Sequence, residues 1–212
     1  MKRILVIERE FGAGAGVIAD TLACRLGWKL LDHELTSQIA DLAKVSPEAC
    51  EGCEERVDPW LFRLAKVFWR GSNERSVVLP DENVVDADRL IQLTQEVLNR
   101  AAADGQCVIV GRGAVYFLRD RPDTFCVFLY APRTLKYQRV LAEVNNEVEA
   151  RHLIDTVDQE RAAFIQHYYK AEWPARHLYH AMLNTAAGDD ATAEDILALV
   201  VAANRRESGT PP

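Results

Sequence analysis

The chain has 212 residues, 49% of them hydrophobic, with a formal net charge of -7 and a pI near 5.3. That size suits one ordinary domain with room for an insert, and the acidic balance argues against a dedicated nucleic-acid binder while leaving a small anionic ligand open to local arginines. No apolar run is long enough to cross a bilayer, so no membrane partner is expected.

The N-terminus, "MKRILVIERE", is basic and then apolar. Charges follow Ile7 at once, so no signal peptide is expected. Ile4–Glu8 reads as a short buried strand. The stretch "REFGAGAGVIAD", Arg9 to Asp20, follows it and carries alternating glycines, Gly12, Gly14 and Gly16. In "GVIADTLACRLG" the residues Val17, Ile18, Leu22 and Leu26 fall near helical spacing, and Gly27 stops the helix. Trp28–Asp32 is a second short strand ending on an acid, and "HELTSQIADLA" returns to helix.

Residues 44–85 differ in character. They hold Cys50 and Cys53 and the prolines Pro47, Pro59 and Pro80. Within them "DPWLFRLAKVFWR" looks helical, with Asp58 as N-cap and Pro59 at the first helical position. The expectation is a mobile helical insert. Asp86–Gly105 is then a helix, Cys107–Gly111 a buried strand and Thr124–Ala131 another. Pro132 opens the helix "RTLKYQRVLAEV", and "EARHLIDTVDQERAAFIQHYYK" is a long helix. Leu178–Thr185 is the last strand candidate. "TAEDILALVVAANRR" closes the domain, with Thr192 and Asp195 spaced as a capping box. One domain over 1–206 is expected, with a disordered tail over 207–212.

The five cysteines are scattered and odd in number, which points to reduced thiols and a cytoplasmic protein. Cys50–Cys53 has metal spacing but no second pair, and His177 with His180 is a similar lone pair; no metal ligand is assigned to either. Apolar strands separated by long helices imply an α/β fold, a parallel sheet covered on both faces. Ligands in such folds bind at the carboxyl ends of the strands. The informative positions are therefore Arg9 to Gly16, Asp32, Gly111 to Gly113, Pro132 to Arg139, and Asn184 with Thr185.

The glycine loop admits more than one chemistry. Gly14 to Ala19 fits the G-x-G-x-x-A of a dinucleotide turn, with Asp32 near the place of a ribose-binding acid. Against this, several residues separate Glu8 from Gly14, and no third strand follows Asp32 until Cys107. The alternative is a phosphate cradle. Backbone N–H groups of Gly12, Ala13, Gly14, Ala15 and Gly16 would form an anion nest at a helix N-terminus. In that register Ala15 stands where a lysine is expected and Gly16 where a magnesium-binding hydroxyl is expected. A tight bend without ligand also remains open.

"REFGAGAGVIADTLACRLG" followed by "LLDHEL" resembles the opening of the cytidylate kinase-like family, divergent P-loop nucleoside monophosphate kinases. "GRGAVYFL", "VFLYAP", "VDQERAAFIQHYY" and "LYHAMLNT" agree in order, so the resemblance spans nearly the whole chain apart from the insert. It implies a three-layer P-loop NTPase-type fold with a parallel five-stranded sheet, an NMP-binding insert at 44–85 and a lid over about 133–172. It further implies ATP-dependent phosphorylation of a nucleoside monophosphate, CMP or dCMP, using ATP and Mg2+ held through phosphates and water. By the same resemblance Arg112 holds the acceptor phosphate, Asp158 and Arg161 contact the nucleotide sugar and phosphate, and Asn184 and Thr185 border the adenine.

The residues themselves add a constraint. Phosphoryl transfer needs positive charge on the moving group. Without a loop lysine, arginines must supply it, and Arg112 and Arg161 are first in line, followed by Arg139. Arg161 falls in an apolar stripe with Val157 and Tyr168, so its charge needs a partner or a ligand. An i,i+3 ion pair with Asp158 would also satisfy it. Asp32 could orient an acceptor or cap the following helix. Arg133 and Arg151 also border the expected lid. A binding-only regulator without turnover stays open, as does a homodimer.

Overall fold

The computed structural model describes residues 1–32, 87–207 and 209. The expected insert, the Cys50–Cys53 pair and the helix begun at Asp58 lie outside the described residues.

Strand β1 (Ile4–Arg9) is buried along its whole length. It leads through the glycine loop into α1 (Ala15–Leu26), which ends on the left-handed Gly27. β2 (Lys29–Leu31) is short. After α2 (Ala87–Asp104) come β3 (Cys107–Val110), α3 (Ala114–Leu118) and β4 (Thr124–Tyr130). α4 (Arg133–Val144) starts directly after Pro132. α5 (Glu147–Tyr169) starts at Asn146, whose Oδ1 accepts from the N–H groups of Val148 and Glu149. β5 (Ala181–Asn184) and α6 (Asp189–Glu207) close the chain.

All strand pairs are parallel, in the order β2-β3-β1-β4-β5. Alternation along the strands feeds two cores, one on each face. Ile4, Val6, Cys107, Ile109 and Cys126 meet α2, α3 and α5 on one side. Leu5, Ile7, Val108, Val110 and Val127 meet α1 and α6 on the other. This is the three-layer sandwich expected. It also removes the dinucleotide alternative. That topology sets β2 beside β1, whereas here β1 lies between β3 and β4.

Two boundaries differ from expectation. α6 begins at Asp189 and not at a Thr192 cap, and it includes Glu207. Thr192 lies inside the helix, and its hydroxyl donates to the Gly188 carbonyl at 2.7 Å. Asp189 and Asp190 in the first turn complement the helix dipole and start the helix earlier. The last strand is also shorter than expected, because Arg176–Leu178 forms a 3-10 turn before it.

Cys107 and Cys126 lie in the strands and are buried, whereas Cys24 is exposed. Burial pushes the Cys107 thiol up to about 11 and the Cys126 thiol up to about 12. Alkylation of the native protein at neutral pH, mapped by peptide mass spectrometry, is expected to label Cys24 and to spare Cys107 and Cys126 until denaturant is added.

Candidate functional site

The glycine loop occupies the carboxyl edge of β1, near the middle of the sheet. Gly12 and Gly14 take positive φ, 78° and 80°, a conformation that suits residues without a Cβ. No side chain caps α1, whose N-cap is Gly14. Ala13 and Ala15 turn their methyl groups into the core beneath α1 and α6. Gly14 and Gly16 are the half-exposed positions of the loop.

Three helices hold the loop. Phe11 is buried against Val140 of α4 and Ala150, Ile154 and Val157 of α5. The Phe11 N–H donates to Asp158 Oδ1 at 2.9 Å. The Thr185 hydroxyl, fully buried at the end of β5, donates to the Ala13 carbonyl at 2.9 Å and accepts from Arg139 Nη1 at 2.9 Å. Arg139 Nη2 donates to Asp189 Oδ1 at 2.5 Å. A Cβ on Gly14 would stand 2.8 Å from Arg139 Nη1, so this guanidinium lies against the loop. A Cβ on Gly12 would stand 3.0 Å from the Lys136 Cβ and 3.1 Å from its carbonyl oxygen, so the backbone of α4 packs directly on the loop.

Buried charge collects beneath the loop. Arg161 is 4% exposed. Its Nη1 donates to Asp158 Oδ1 at 2.7 Å and to the Arg9 carbonyl at 2.9 Å, and its guanidinium lies 5.2 Å from the centre of the Trp173 ring. The apolar stripe of α5 thus carries a cation whose partners are the loop and an aromatic face. Arg112 is 1% exposed and takes a left-handed φ of 60° between Gly111 and Gly113. Burial pulls its guanidinium down to about 9, with Asp32 the main charge acting the other way. It stays charged at neutral pH.

Glu8 joins these groups and was not read from the sequence as part of a site. It is 4% exposed. Burial raises its carboxyl above the usual range, while Arg9, Arg161 and Arg112 pull it down. Its Oε1 and the hydroxyls of Tyr116 and Tyr179 are buried without hydrogen-bond partners among the described residues. The folded state holds the Glu8 proton more tightly than the unfolded chain does. That contribution is present below the unfolded carboxyl pKa and is lost as pH rises through the raised one. Glu8→Gln is expected to flatten the fall of melting temperature with rising pH across that window. A slope equal to wild type would remove Glu8 as its source.

The structure brings Asp32, Arg112, Asp158, Arg161, Arg139 and Thr185 to one edge of the sheet. It does not place Asn184 the same way: its side chain is exposed and accepts from the Ala186 N–H at 3.0 Å, capping a turn. Arg133 pairs with Asp155. Arg133 and Arg151 line an open groove of about 330 Å³ with Thr134, Tyr137 and Ile154.

Arg112 is enclosed, and the charges of Glu8, Arg9 and Arg161 act on it. Besides Arg161 of α5, two cations of α4 lie at the loop. One is Arg139; the other is Lys136, whose Nζ lies 3.0 Å from Glu10 Oε2 and 3.5 Å from Asp158 Oδ2.

These residues fit a polyphosphate. The loop turns around glycines, its helix end has no side-chain cap, and a guanidinium lies within 3 Å of where a Cβ on Gly14 would be. For Mg2+ the fit is different. Among the described residues no cluster of three or more His, Cys, Asp or Glu could hold a metal. Glu10, Asp158 and Asp189 are engaged by Lys136, Arg161 and Arg139. This donor set suits an ion carried by phosphates and water, not one held in a protein cage.

A parallel sheet in this order, with a glycine loop between its central strand and the first helix, defines a P-loop kinase-type fold. Solved structures agree. An uncharacterized protein from Eubacterium ventriosum superposes with a TM-score of 0.67 at 19% identity, covering 94% of this chain and 98% of its own. A gluconokinase from Sinorhizobium meliloti gives 0.53 at 13% identity, covering 99% and 98%. A shikimate kinase from Acinetobacter baumannii gives 0.51 at 20% identity, covering 95% and 94%. The chain belongs to the cytidylate kinase-like family, whose model matches residues 4–187. The cytidylate kinase of Erwinia tasmaniensis is 31% identical over 99 residues, 47% of this chain and 42% of the relative. That of Aeromonas salmonicida is 32% identical over 102 residues, 48% and 43%. The chain thus matches less than half the length of these curated relatives.

Proposed function

We propose that this chain is an ATP-dependent phosphotransferase of the nucleoside monophosphate kinase type, passing a phosphoryl group from ATP to CMP or dCMP. The observation that carries it is the convergence of buried Arg112 and Arg161 with half-buried Asp158 at the base of a glycine loop at the head of α1. Family membership and the curated relatives support the acceptor class.

In this reading the N–H groups of Gly14, Ala15 and Gly16 hold the donor polyphosphate, the Ala13 N–H closes the loop on the Glu10 carbonyl at 3.2 Å, and Thr185 fixes the loop beneath it. Arg161, braced by Asp158 and Trp173, sets its guanidinium at the loop base. Arg112 takes the acceptor phosphate by exchanging Asp32 for it. Mg2+, when bound with ATP, supplies further charge neutralisation. Catalysis here is positioning and electrostatics, which is what phosphoryl transfer requires.

A second reading has its own observation. Each cation at the loop already has a carboxylate: Arg161 and Lys136 share Asp158, Lys136 also has Glu10, and Arg139 has Asp189. A self-neutralised site with no loop lysine suits a nucleotide-binding regulator without turnover. An ADP-release assay across CMP, dCMP, UMP and AMP separates the two. Turnover highest with CMP or dCMP supports the kinase. ATP affinity with no turnover for any acceptor sinks it in favour of the regulator.

A further inference from the structure

We propose that Lys136 is the cation of the glycine loop, a polyphosphate-binding residue delivered from α4 in place of the lysine that the loop lacks. This inference rests on the phosphotransferase reading above.

The loop position that would carry a lysine cannot serve. Ala15 is 2% exposed and its methyl group packs in the core under α1, so a longer side chain there would point into protein. The charge has to arrive from another element, and α4 lies on the loop. Its backbone at Lys136 sits against Gly12 closely enough that a Cβ on that glycine would crowd it. The Lys136 side chain is 12% exposed, and its ammonium lies 3.0 Å from Glu10, a residue of the loop, and 3.5 Å from Asp158. Asp158 is the same carboxylate that accepts the Phe11 N–H. The ammonium is therefore fixed at the shoulder of the loop by groups belonging to the loop and to α5.

An ammonium has three N–H donors. One goes to Glu10 at 3.0 Å and Asp158 lies at ion-pair distance, 3.5 Å, which leaves donor capacity for a phosphate oxygen in the nest. The stem is flexible and the head a compact point charge, so Lys136 can trade Glu10 for phosphate by small torsional changes. Arg139 is less able to do this. Its two terminal nitrogens are committed to Thr185 and Asp189, and it serves as a positioning residue that ties the loop to the end of β5.

The test is calorimetric titration of the full chain with ATP, ADP and AMP, in wild type and in Lys136→Gln and Lys136→Arg. Glutamine keeps a polar amide donor near Glu10 but removes the charge. Lys136→Gln is expected to weaken ATP and ADP binding about 10- to 100-fold, the scale of one charge-assisted hydrogen bond, while AMP changes little. Lys136→Arg is expected to keep the preference for ADP over AMP. Unchanged ATP and ADP affinities in Lys136→Gln would overturn the assignment, and so would a parallel loss for all three nucleotides, which marks a structural role. If the glutamine variant does not fold, loss of the ADP preference in a folded Lys136→Arg overturns it instead. Wild type without ATP affinity would refute the phosphotransferase reading and this inference with it. Wild type that binds, beside an indifferent variant, refutes Lys136 alone.

Discussion

Arg161→Met is expected to abolish turnover and to cost about 3 kcal/mol of stability, the low end for breaking a buried ion pair by removing one partner. The low end applies because Asp158 keeps Lys136 and the Phe11 N–H when Arg161 is lost. The Arg9 carbonyl loses its donor, and Trp173 loses the cation over its ring. Methionine restores much of the packing, so the loss should come from charge and hydrogen bonding. Urea unfolding measures it. The midpoint is expected to fall while the slope of stability against denaturant stays constant. A variant of wild-type stability would mean that the triad of Arg161, Asp158 and the loop carries no structural weight.

Arg112→Gly separates function from folding. Arg112 is a non-glycine residue at a φ of 60°, a conformation that costs about 1 kcal/mol or more and persists only where the surroundings enforce it. Glycine relieves that strain while deleting the guanidinium. Opposing this, Asp32 loses its buried cation and Glu8 loses one of three. The expected outcome is a folded protein, less stable by about 1–3 kcal/mol, with turnover lost by at least about 100-fold, the scale for removing one electrostatic contact from a phosphoryl-transfer site. Arg112→Lys is not expected to restore activity, since an ammonium lacks the planar fork that pairs two oxygens at once. Steady-state rates and a denaturation curve on each variant check both halves.

These effects turn on tertiary facts that the sequence shows unevenly. The sheet was legible because its strands are uninterrupted apolar runs bounded by turn residues: "ILVIE", "CVIV" and "TFCVFLY" have little alternative. The loop was legible from its glycines, and the buried place of Arg161 from its phase in an apolar stripe. Lys136 was not. In "RTLKYQR" a lysine at that phase reads equally well as a solvated face, and only the packing of α4 on Gly12 turns it toward the loop. Glu8 was read as the end of a strand, although a carboxylate at the edge of an apolar run already asks for a partner. The capping box at Thr192 was local chemistry overruled by the acids at Asp189 and Asp190, which start α6 sooner. The insert expected to read an acceptor base lies outside the described residues, and there the family resemblance was also least specific.

The central claim is that this chain moves a phosphoryl group between nucleotides although its glycine loop has no lysine. Transfer of label from ATP carrying 32P at the γ position tests it most directly, with CMP as acceptor and the products separated by chromatography. The expected result is labelled CDP that forms in proportion to wild-type protein and is absent with an Arg112→Gly, Arg161→Met double variant. Label that remains in ATP or appears only as inorganic phosphate, or equal CDP formation by the double variant, would contradict the account.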